Sequence, residues 1–119
     1  TKWACEPASH AARAGSAHSK NRVCSNGLAS KHGAGEYPKG AASVKELFDA
    51  SDKPSGHAFA LKAGAGGAEA WYYFEVIGAS VVANGQATSG SPKTLCAACH
   101  EGAGKGGQTG HDFVYTQVK

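Results

Sequence analysis

Five consecutive residues, Cys96-Ala97-Ala98-Cys99-His100, carry the most specific chemistry in this chain. The pattern C-x-x-C-H is the attachment motif of a c-type haem. Two thiols about one helical turn apart can add to the two vinyl groups on one edge of a porphyrin, and the imidazole that follows is carried beneath the ring to ligate iron. Two other chemistries use similar residues. A thioredoxin-like redox pair wants a preceding strand in a βαβ setting and gives His100 no role. A zinc site drawing on Cys96, Cys99, His100 and either His57 or His111 would make sequence neighbours into tetrahedral ligands, an awkward geometry. One covalent haem c is the favoured reading.

The chain has no methionine, so the His/Met ligation of electron-carrying cytochromes is excluded. His10, His18, His32, His57 and His111 keep bis-His ligation open. A five-coordinate iron, with one face free for a small molecule, is the favoured expectation. Cys5 and Cys24 are expected to pair as a disulfide worth roughly 3 kcal/mol in the chain-entropy model; two buried free thiols are the alternative. Haem attachment of this type takes place outside the cytoplasm, where disulfides persist. A periplasmic or otherwise exported protein is therefore expected, with any signal peptide already removed ahead of Thr1.

These groups need a scaffold, and the composition restricts it. The 119 residues suit one domain, 1–119, and Leu, Ile, Val and Phe number only 16. That is about 13%, below the ~20% at which an ordered aliphatic core becomes doubtful. Small domains commonly make up such a deficit with disulfides, metals or cofactors, and a flat apolar macrocycle would do so here. A net charge of +3 is too small for a nucleic-acid stripe or a membrane-anchoring basic patch. No apolar run approaches the ~20 residues of a membrane span.

Local patterning predicts an α+β fold, mostly antiparallel sheet, with an N-terminal helix and a short haem-attachment helix. Ala-rich Glu6–Lys20 reads as the first helix and Lys93–Glu101 as the second. Ser43–Phe48 reads as a strand or a short helix. His57–Lys62 alternates, with His57, Phe59 and Leu61 on one face, and Trp71–Ile77 has the strongest strand character. Asn84-Gly85 reads as a hairpin turn between Ser80–Ala83 and Gln86–Ser89. Asp112–Val118 is expected to be a final strand. The Gly-rich Ala63–Ala68 lacks a phosphate-loop ending and reads as a plain turn.

Four ordered segments resemble the cytochrome P-460 and cytochrome c′-beta family: Arg22-Val23-Cys24-Ser25-Asn26; Tyr37-Pro38-Lys39-Gly40 with Val44-Lys45-Glu46-Leu47; Trp71 to Phe74; and Cys96–His100 followed by His111-Asp112-Phe113-Val114-Tyr115-Thr116. Lys39 and Ala41 stand where the family usually carries Asp and Thr. The resemblance implies an antiparallel β fold, a homodimer, and a five-coordinate haem ligated by His100. Its P-460 branch oxidises hydroxylamine or related nitrogen oxides, passes electrons to a partner, and bonds a lysine nitrogen to the haem rim. Lys45 matches that lysine, and Lys62 competes for the role. Its c′-beta branch binds NO or CO beneath an aromatic cap, for which Phe59 and Phe48 are the candidates. Oxidation also needs a proton acceptor. Glu46, Asp49 and Glu75 are the candidate carboxylates, and His57 is a candidate donor or acceptor. Arg22 or Arg13 would meet the haem propionates.

Overall fold

The computed structural model describes residues 2–119. Its main element is a six-stranded antiparallel meander of strands β1 (Ala4–Cys5), β2 (Lys20–Ser25), β3 (Ala42–Phe48), β4 (Pro54–Lys62), β5 (Trp71–Ile77) and β6 (Ser80–Gln86), in that spatial order. Helix is scarce. A short α1 (Gly27–Ser30) follows β2, capped by Asn26 Oδ1 accepting from the Ala29 N–H. A π-helical turn over Pro92–Ala97 runs into α2 (Ala98–His100).

The register sorts the side chains onto two faces. Val23, Lys45, Ala58, Glu75 and Ala83 lie in one row across β2 to β6. This inner face is covered by the helical segment and the C-terminal residues. Trp71, Tyr73, Ala60 and Ala97 form its core with Tyr37 and Val114. The adjacent residues of each strand point the other way. On that outer face Phe59 and Phe74 meet edge-on at 6.4 Å, and Phe59 and Leu61 remain more than a third exposed. His57, Phe59 and Leu61 share this face, as the alternation predicts.

Three expectations are overturned. The N-terminal helix is absent: β1 pairs with β2, and the chain from residue 6 to 19 runs irregularly beside the sheet, touching it through a His10–Asn21 bridge. Helix propensity is a weak prior when a segment offers only alanine to bury. Cys5 and Cys24 face each other across β1 and β2 and are disulfide-bonded, with Cα atoms 4.0 Å apart. Asn84-Gly85 is likewise not a turn but lies inside β6, where Asn84 pairs with Phe74. The hairpin closes instead at Gly78-Ala79, where Gly78 has φ 58°; a two-residue hairpin needs a positive φ there. Finally, residues 112–118 form no strand. Asp112 and Phe113 adopt φ of 40° and 67° and fold the chain into a tight turn, closed by a His111–Val114 bridge. Among the described residues no helix is long and apolar enough to cross a membrane.

Candidate cofactor site

Between the inner face and the helical segment lies a cavity of about 430 Å³, within the usual size range of ligand sites. Its floor is made of small side chains, Ser43, Ala58 and Ala60, where β3 and β4 run beneath it. Cys96, Cys99 and His100 form one wall, and both cysteines are free thiols. Burial pushes the Cys96 thiol up to about 11. Ile77 and Leu95 at the cavity wall are 45% and 58% exposed, an apolar lining that water alone would leave unfavourably wet.

His100 is held as a neutral imidazole with one ring nitrogen free. Burial pushes its pKa down to about 4, so the ring is neutral at physiological pH. Its Nδ1–H donates to the Phe113 carbonyl at 2.7 Å, which fixes the tautomer and leaves Nε2 with the lone pair. A second hydrogen bond of this kind accompanies metal-ligating histidines generally. That carbonyl is held in place from below. Asp112 Oδ2 accepts from the Tyr37 N–H at 2.7 Å and from Lys62 Nζ at 2.9 Å. Lys62 is fully buried and also donates to the Gly66 carbonyl at 3.0 Å. The unusual backbone of Phe113, costly for a bulky residue, is thus maintained by a buried ion pair one residue away.

Lys45 reaches the same cavity from β3. Burial first, and the Arg13 charge second, lower its pKa. Lys62 does not line the cavity; its ammonium is engaged by Asp112 and Gly66. Arg13 stands at the wall with its guanidinium 3.6 Å over the Tyr115 ring, whereas Arg22 is on the outer face, bound to Glu46 at 3.2 Å and to the Glu6 carbonyl at 2.7 Å. Tyr115 in turn donates its hydroxyl to the Cys99 carbonyl.

The remaining expected residues divide between the two faces. Glu46 and His57 pair across β3 and β4 on the outer face and do not line the cavity. Asp49 accepts from the Ser51 and Lys53 N–H groups in the following turn. Phe48 lies at the end of β3 opposite Pro54, away from the cavity. Phe59 borders the cavity through its strand, but with Ala58 and Ala60 facing inward its ring belongs to the outer face. Of the candidate carboxylates, Glu75 alone is inside, and His18 lies beside it, Nδ1 to Oε1 3.5 Å. A glutamate on the same face as Trp71 and Tyr73, amid an apolar strand, was the available sequence signal for a functional charge. His18 stands out in the sequence only as one of five histidines open as iron ligands, because its segment reads as helix.

Neighbouring thiols, a neutral imidazole and an apolar lining fit a haem attached through Cys96 and Cys99 and ligated by His100. Among the described residues, no group of three or more His, Cys, Asp or Glu is gathered to hold a bare metal ion. The tetrahedral zinc alternative therefore lacks its ligand set. Compared with family models, with curated proteins and with solved structures, the chain finds no match in any of the three.

Proposed function

We propose that the chain is an exported monohaem c protein of the cytochrome P-460 type, acting on hydroxylamine or a related nitrogen oxide. The observation that carries this reading is the convergence of Lys45, from β3, on the cavity walled by Cys96, Cys99 and His100. A solvated strand lysine has no reason to be there. When bound, the haem would supply an iron able to coordinate a nitrogen oxide and accept its electrons. The chain's own residues do the rest. His100 would supply the neutral imidazole that ligates the iron. Lys45, with its amine partly desolvated at the cavity, would bond the haem rim. Arg13 offers a cation to the propionates. Glu75 is the carboxylate within reach to take up the protons that oxidation releases.

Gas binding without turnover, as in the c′-beta branch, needs only apolar walls. Buried Glu75 and half-buried His18 favour the proton-handling branch. The Cys5–Cys24 bridge suits an oxidising compartment, and a second copy of the chain would most readily cover Phe59 and Leu61 on the outer face. Intact mass, peptide mapping and one absorption spectrum of the reduced protein test the assignment. The expected result is one haem on a peptide pair joining Cys96 and Cys99 to Lys45, with a red-shifted ferrous band that Lys45→Arg abolishes. A haem peptide with Lys45 free would remove the P-460 assignment and leave the gas-binding one.

A further inference from the structure

Five histidines other than His100 are open as iron ligands by sequence, and the fold separates them. His10 bonds Glu6 and the Ala11 carbonyl, His57 lies on the outer face opposite Glu46, and His32 and His111 pack around Tyr37. His18 alone lies in the cavity with His100, their ring centroids 6.4 Å apart. Two imidazoles on opposite sides of one metal, with bonds of about 2.0–2.1 Å and ring centres about 1.1 Å behind the nitrogens, have centroids about 6.3 Å apart. Nδ1 of His100 is committed to the Phe113 carbonyl, which leaves its Nε2 free. The buried Nδ1 of His18 has no hydrogen-bond partner and stands 3.5 Å from Glu75 Oε1.

Resting on the haem assignment above, we propose that His18 is a second, displaceable axial ligand, which occupies the iron opposite His100 until a nitrogen oxide replaces it. The two supports are unequal. His100 belongs to α2 and is anchored by a 2.7 Å hydrogen bond. His18 belongs to the irregular stretch before β2, and its ring is steadied only by the 3.5 Å approach of Glu75. Ligand exchange breaks one iron–nitrogen bond and forms another, with no electron or proton transferred. His18 then stays beside Glu75 in the cavity. The resting state is six-coordinate rather than the five-coordinate one the resemblance implies.

The test uses the ferric holoprotein, with covalent haem first verified by intact mass. Absorption and electron paramagnetic resonance spectra are expected to show low-spin iron at rest. His18→Gly is expected to turn it high-spin, and added imidazole to restore the low-spin form, a rescue that a misfolded variant would not give. Cyanide is expected to bind His18→Gly about tenfold or more tightly in apparent affinity, because no internal ligand competes. Glu75→Gln keeps His18 and is expected to raise the high-spin fraction only partly. High-spin iron in the wild-type protein, or low-spin iron unchanged in His18→Gly, overturns the role of His18 while the haem assignment stands. A colourless protein with no mass gain overturns both.

Discussion

Lys62→Met is the substitution that best tests how the fold supports the site. It removes a fully buried ammonium while nearly conserving side-chain length. Four contacts disappear: the 2.9 Å ion pair with Asp112, the 3.0 Å hydrogen bond to the Gly66 carbonyl, a 3.2 Å approach to Glu36, and a cation–π contact 5.1 Å from the Trp71 ring centre. Their weights differ. The Glu36 carboxylate is open to solvent, so water screens its attraction and replaces the contact at little cost. The Asp112 side chain is only 12% exposed. With Lys62 gone, its carboxylate keeps the Tyr37 N–H but no countercharge. Breaking one side of a buried pair costs about 3–5 kcal/mol. For a two-state chain of this length, each kcal/mol shifts Tm by about 4 °C, so the expected fall is about 12–20 °C.

The assay is thermal and urea unfolding of wild type, Lys62→Met, Asp112→Asn and the double variant. In the double variant no orphaned carboxylate is left, and the side-chain oxygen of the introduced asparagine still accepts from the Tyr37 N–H. It is therefore expected to be less destabilised than the two single losses added together, with coupling above about 1 kcal/mol. Strict additivity, or a Lys62→Met cost below about 1 kcal/mol, would refute the claim that this pair holds the turn. Disturbing Asp112 should also loosen the Phe113 carbonyl from His100, so under the haem assignment proposed above the spectrum is expected to broaden in Lys62→Met.

Other perturbations follow the same chain of supports. Replacing Cys5 and Cys24 by serine removes a cross-link between positions 19 residues apart and is expected to cost about 3 kcal/mol in chemical denaturation. Gly110→Ala adds a methyl that collides with the Val114 backbone oxygen at φ 88°; unfolding should show a loss of at least about 1–3 kcal/mol, since both strain and clash act on the turn behind His100. His111 has its pKa lowered by burial and by neighbouring His32. Its neutral form therefore contributes stability above the unfolded value near 6.5, lost as pH falls below it. His111→Gln should flatten the decline in urea midpoint between about pH 7 and 5.

Legibility in the sequence follows the physics of each segment. Trp71–Ile77 is readable to the residue because six of its seven residues are strand formers and leave no competing local structure. The alternation of His57–Lys62 correctly puts Phe59 on one face with His57, yet the resemblance places Phe59 in the pocket: a face is legible, its identity as inner or outer is not. Asn84-Gly85 misleads because its turn preference is local, whereas β6 is held along its length by pairing to β5. The final strand fails for a different reason. Its backbone is dictated by Lys62 and Tyr37, both remote in sequence, and no window over Asp112–Val118 contains them.

The poverty in large aliphatic side chains now has a location. The buried cluster is built around Trp71, Tyr73 and Tyr37 with alanines between them, and the inner-face positions that a valine or leucine would fill in an ordinary sheet are Ser43, Ala58 and Ala60. Small residues in one patch, beside apolar side chains left exposed at its edge, make a deficit with the shape of a guest. The same patch explains why Lys45 and Glu75 are tolerated on a buried face: each looks into the cavity rather than into packed protein. Filling that floor is thus a test of what the space is for. Ala58→Leu should stabilise the fold if the space is a packing defect, by removing a void. Where the space belongs to a haem, the leucine would instead compete with it, and the expected result is lower haem content per chain with little gain in stability.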